Sequence, residues 1–158
     1  MGAIELSATW RSTASAAATY AVVIDLATWP QWWPAIRHVE PLAGDPSAPD
    51  VARLTFDTPA PLRPLQLELT VTERTSPSLL LVEVSDGPIR GDGRIDIVAD
   101  GGGSATSFEV TLEVRSRWLK PIELVLASAT RGAGRERLAK AGDDLARLAG
   151  GEPRHHDV

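Results

Sequence analysis

The heptapeptide Thr28-Trp29-Pro30-Gln31-Trp32-Trp33-Pro34 holds three of the chain's five tryptophans and two of its twelve prolines. Proline fixes φ and restricts the residue before it, so the stretch reads as a short rigid corner. Each indole brings a large apolar face and one N–H that needs a partner. On the amino side, Ala18, Val22 and Leu26 fall on one stripe of a helix over 16–26, with Ala21 beside them. On the carboxyl side, 36–42 reads as a strand. Two uses of the corner stay open: the indoles seal the core where helix meets sheet, or one of them, Trp33, lines a ligand site.

Working outward, Ile4, Leu6, Ala8 and Trp10 alternate with Glu5, Ser7, Thr9 and Arg11, which is the period of a strand with one buried face. Ser12, Thr13 or Ser15 can cap the helix that follows. Beyond the corner the chain is β-like over 36–42, 51–57, 66–75, 79–86, 89–99 and 106–117. The intervening Gly44-Asp45-Pro46, 58–64, Ser76-Pro77-Ser78, Asp86-Gly87-Pro88 and 100–103 carry turn or loop chemistry. Links this short between successive strands predict an antiparallel meander. A helical pattern occupies 120–149: Ile122, Val125, Leu126, Ala129 and Ala133, then Leu138, Ala141, Leu145 and Leu148, slipping by a position at Gly132 and Gly134. A glycine in a helix interior costs about 1 kcal/mol against alanine, so the pair points to a kink, a tight approach or room for a ligand. Residues 151–158 are polar and are expected to form a disordered tail.

A chain of 158 residues reads as one domain, placed here at 1–150. It is long enough to bury roughly 70% of its unfolded surface. Hydrophobic content of 43% with 23% charged residues is ordinary for a soluble protein. No apolar run reaches the roughly 18 residues of a membrane span. The first ten residues carry no secretory pattern, and Leu6 stands where a myristoylation motif wants Ser or Thr, so the chain reads as cytoplasmic. It has no cysteine, which excludes disulfides and thiolate chemistry. A net charge of −5 with scattered basic residues argues against nucleic acid. Arg131, Arg135, Arg137 and Lys140 interleave with Glu136, Asp143 and Asp144 as on a solvated helix face. His155-His156 lack a third ligand, so no metal is expected, and nothing calls for a cofactor.

Seven antiparallel strands present an apolar concave face, and one long amphipathic helix is left to cover it. The expected fold is α+β, a seven-stranded antiparallel sheet curved around a long C-terminal helix. Space that the helix does not fill becomes an apolar cavity, the usual form of a small-molecule site. Strand phase points Leu54 and Phe56, Leu67, Leu69 and Val71, Leu80, Val82 and Val84, Ile95 and Ile97, and Phe108, Val110 and Leu112 inward. Glu68, Glu83, Arg94, Asp96, Glu109 and Glu113 take the solvent phase. Gly91 and Gly93 share the inward phase, marking either a bulge or a ligand notch. Leu124 and Arg131 share a face of the long helix, where Arg131 is either solvated or reaches the cavity mouth. The expected lining is therefore Trp33, Phe56, Leu67, Leu69, Leu80, Val82, Gly93, Ile95, Phe108, Val110, Leu124 and Arg131.

Tyr20, Val22, Asp25, Trp29-Pro30, Trp32-Trp33-Pro34 and Val39-Glu40, then 91–97, Gly101-Gly102-Gly103, Thr106 and the terminal helix, resemble the START-related polyketide cyclase/dehydrase and lipid-transport superfamily (SRPBCC). The resemblance runs from Ile4 to about Leu148. It implies a helix-grip fold with a deep cavity for a hydrophobic ligand, in a family of cyclases, carriers and co-chaperone-like modules. Membership speaks for fold more than for function. Catalysis by acid or base needs a titratable group near the reacting proton, and the inward phase of the central strands has none. Asp25, Arg37, His38, Trp118 and Arg131 are the remaining polar candidates, and no nucleophile triad, phosphate loop or dinucleotide fingerprint is present. The reading is thus binding or transport of a hydrophobic small molecule such as a lipid or polyketide, with no catalytic residue. An aromatase/cyclase acting on a poly-β-ketone and a protein-interaction module are the alternatives.

Overall fold

The computed structural model of the chain describes residues 3–34, 36–57, 64–86, 89–114 and 133–157. Its strands are β1 Ala3–Ser12, β2 Ile36–Asp45, β3 Ala48–Phe56, β4 Leu65–Thr75, β5 Leu79–Asp86, β6 Ile89–Asp100 and β7 Gly103–Val114. They form one sheet in the order β1-β7-β6-β5-β4-β3-β2, with every neighbouring pair antiparallel. Helix α1, Ala16–Ile24, follows β1, then a 3₁₀ turn Leu26–Thr28 and the single-turn α2, Trp29–Trp32. Helix α3, Ala133–Leu148, comes last. This is a helix-grip α+β fold. Among the described residues, no helix is long and apolar enough to cross a membrane.

Local chemistry accounts for the element ends. The Ser15 hydroxyl accepts from the Ala18 N–H at 3.1 Å and caps α1. Asp100 pairs with Gly103 across a two-residue turn in which Gly101 and Gly102 have φ of 54° and 88°. Positive φ at both central residues is what a type I′ hairpin requires. Helix α3 ends in a Schellman motif, with the Gly151 N–H on the Ala146 carbonyl at 2.9 Å and the Gly150 N–H on the Arg147 carbonyl at 3.0 Å.

The core divides in two. The larger cluster joins Trp10, Trp29, Trp32, Leu54, Leu69, Leu80, Val82, Ile95, Ile97 and Phe108 to Leu138, Ala141 and Leu145 of α3. These last three lie on one helical stripe, whereas Leu148, expected to extend it, is 43% exposed. The smaller cluster holds Leu65, Leu67, Val84, Ile89 and Leu112. Buried hydroxyls of Thr19 and Ser104, 3.0 Å apart, tie α1 to β7.

One feature departs from the sequence expectation. The polar segment beyond α3 does not hang free: Thr9 and Asp157 exchange both backbone hydrogen bonds, at 2.7 and 2.8 Å, and Ser12 bridges to Pro153. An edge strand offers unpaired N–H and C=O groups to any extended segment, apolar or not. The stretch 120–132 of the expected long helix, with Gly132, lies outside the described residues, whereas Gly134 falls in the first turn of α3.

Candidate functional site

The tryptophan corner is held by its indoles. The Trp29 indole N–H donates to the Val23 carbonyl at 2.8 Å, and Trp32 is fully buried. Trp33 is only half-buried. Its ring lies edge-on to Trp10 with centroids 5.8 Å apart, and 5.1 Å from Phe108, within the range where aromatic pairs attract beyond their buried area. Trp33 therefore stands at the border of the larger cluster.

Phe56 and Val110 are half-buried as well, and each packs against both clusters. The two clusters thus meet at Phe56 and Val110, with half-buried Trp33 at the edge of the larger one, and this seam is the candidate site. Of the other expected lining residues, Leu69, Leu80, Val82, Ile95 and Phe108 are packed within the larger cluster and Leu67 within the smaller. Leu124 and Arg131 lie outside the described residues.

Gly93 is buried, and a Cβ built there would lie 2.8 Å from Val82 Cγ2 and 3.5 Å from Val110 Cγ2. The cross-strand valines close over the position, so the glycine leaves no notch. At Gly91 a Cβ would collide with the Thr111 carbonyl. The register runs unbroken through both glycines, which rules out a bulge there. They permit close approach between strands.

The described inward positions carry no charged side chain, and the polar candidates sit elsewhere. His38 is exposed, and Arg37 pairs with Asp57 at 2.6 Å. Trp118 lies outside the described residues. Two buried polar atoms at the corner have no hydrogen-bond partner among the described residues, Asp25 Oδ1 and Trp32 Nε1. Tyr20 on α1 is buried, which pushes its phenol up, with the Arg74 charge pulling partly back. Among the described residues no three His, Cys, Asp or Glu side chains group as a metal site. A hollow of about 440 Å³ is lined by the solvent-phase Glu83, Ser85, Arg90, Asp92, Thr111 and Glu113 together with Val84 and Gly91. It is distinct from the apolar seam.

Sequence reasoning passed over Trp10 as a site residue. It contacts Trp32, Trp33 and Phe108, and its indole N–H donates to the Leu138 carbonyl of α3 at 2.9 Å. The available signal was its inward phase on β1. What remained unreadable was that β1 pairs with β7, setting Trp10 opposite Thr106 and next to Phe108.

An antiparallel sheet gripping a C-terminal helix, with an apolar seam between two core clusters, defines a helix-grip protein. Residues 3–146 match the family model described as polyketide cyclase / dehydrase and lipid transport, and the chain belongs to that family. A START superfamily protein from Mycobacterium smegmatis is similar in structure, with a TM-score of 0.68, 22% identity, and 93% of this chain and 97% of that one covered. The Zhui aromatase/cyclase from Streptomyces sp. R1128 has a TM-score of 0.69 at 13% identity, covering 93% and 94%. Norcoclaurine synthase from Thalictrum flavum has a TM-score of 0.64 at 17% identity, covering 94% of each chain. At these identities the likeness is one of fold. Comparison with curated proteins returned no match.

Proposed function

We propose that the chain binds a neutral hydrophobic small molecule, lipid-like or polyketide-like, along the seam and carries it unaltered. The observation behind this reading is the make-up of the two clusters: aromatic and aliphatic side chains with no charged side chain among the described inward strand positions. An ionised ligand group would be buried there without a partner, at large cost. Native mass spectrometry of the purified protein tests it through the added mass of a retained ligand. A second arm uses the neutral apolar dye N-phenyl-1-naphthylamine, whose affinity should fall at least about tenfold in Phe56→Asp because a carboxylate then borders the seam. Unchanged dye affinity in that variant would remove Phe56 from the site.

One observation favours an aromatase/cyclase reading: the unpartnered Asp25 Oδ1 and Trp32 Nε1 at the corner. Buried polar groups left without partners are a place to look for chemistry. Turnover of poly-β-ketone mimics that is lost in Asp25→Asn would establish the cyclase in place of the carrier.

A further inference from the structure

Residues 152–157 run antiparallel along the free edge of β1. Besides the Thr9–Asp157 exchange, the Arg154 N–H reaches the Arg11 carbonyl at 2.8 Å and the Thr13 N–H reaches the Glu152 carbonyl at 2.9 Å. The Arg11 N–H instead donates to a side chain, His156 Nδ1, at 3.0 Å. The other ring nitrogen, Nε2, lies 2.8 Å from Asp143 Oδ1 on α3, and the His156 side chain is 6% exposed. Since Nδ1 accepts from an amide, the ring proton on Nε2 is the one donated to Asp143. One imidazole therefore joins the sheet edge to the helix.

The same turn of α3 is held from inside. A Cβ on Gly142 would collide with Trp10 Cδ1 and would sit 2.9 Å from His156 Nε2, so both rings press on the glycine. Trp10 donates to Leu138 and touches Trp33 at the border of the seam. A displacement of α3 at this turn is thus passed by direct contact to a wall of the site. Arg11, bonded to Asp157 at 2.8 Å, adds an exposed ion pair.

We propose that residues 152–157 form a latch, pinned by His156, that clamps α3 over the apolar face and sets how fast that face exchanges ligand. The clamp follows from the contacts above, and the ligand half rests on the binding reading. A short exposed strand with few apolar contacts belongs to the low-stability end of a fold, where opening precedes global unfolding. His156 acts as a positioning residue through Gly142 and Trp10.

Amide hydrogen exchange and stopped-flow release of N-phenyl-1-naphthylamine test the latch in a chain ending at Gly151, in His156→Ala and in His156→Gln. In the first two, α3 amides over 138–146 should exchange about tenfold faster while those of β5 and β6 keep their rates, as expected for local opening. Dye release should accelerate to a similar degree. His156→Gln should return toward the parent, since its amide offers both an acceptor and a donor. If the shortened chain does not fold, His156→Ala decides alone. Unchanged α3 exchange, or an increase spread evenly over helix and sheet, would overturn the clamp. Faster α3 exchange with unchanged dye release would overturn the ligand half. No dye bound by the intact chain would overturn the binding reading, with the clamp still judged by amide exchange.

Discussion

Adjacent indoles in one corner do different work. Trp32 is fully buried and Trp33 half-buried, so truncation should separate them. Removing a fully buried aromatic leaves a cavity and costs about 3–5 kcal/mol. Trp32→Ala should fall in that range, and Trp33→Ala should lose about half as much while weakening dye binding. Denaturant midpoints measure both, and equal losses would place the two rings at equal depth. Tyr20 supplies a pH dependence. Its buried phenol titrates above the ordinary 10.0. Below that value both folded and unfolded chains hold the proton and its contribution is complete. As pH climbs through the raised folded value the unfolded chain ionises first, and stability is lost. Tyr20→Phe should therefore flatten the alkaline limb of stability against pH, and identical limbs would show that the phenol is not buried.

At the scale of elements, α3 is fastened at one turn. Ala141, Gly142 and Leu145 face inward, and Gly142 lies flat against Trp10. Alanine at a helix interior normally gains about 1 kcal/mol over glycine, yet here the added methyl meets a buried indole fixed by its bond to Leu138. Gly142→Ala should therefore lose about 1–3 kcal/mol, the usual cost of overpacking. A stabilised variant in thermal unfolding would mean that α3 lifts off Trp10 without penalty. Gly150 and Gly151 were readable as a helix stop by composition, since glycine favours the left-handed position past a helix end. Where the chain goes after the stop was not readable. Residues 152–157 show no apolar alternation because their hold on β1 is through backbone groups and one imidazole.

For the whole molecule, both sheet edges are protected, β1 by the C-terminal strap and β2 by Pro41 and the register shifts around Ala43 and Gly44, devices that discourage edge-to-edge association. If the seam binds an apolar ligand in the folded state only, saturation should raise stability by about 2.7 kcal/mol at a free concentration near a hundred times Kd. Thermal shift against dye concentration measures this, and a flat response would exclude native-state binding.

The seven strands, to within a few residues at their ends, and the alternation of their inward residues were determined by sequence alone, because alternation is set within a few residues of chain. So was the family, through the corner from Asp25 to Pro34. The tertiary structure decided which indole is core and which is border, since a single helical turn has no periodicity to rank Trp29, Trp32 and Trp33. It also decided that Val82 and Val110 close over Gly93, because the register of three consecutive strands sets both valines opposite it. And it decided that the polar end of the chain is pinned to β1, because main-chain hydrogen bonding to an edge leaves no mark in side-chain pattern.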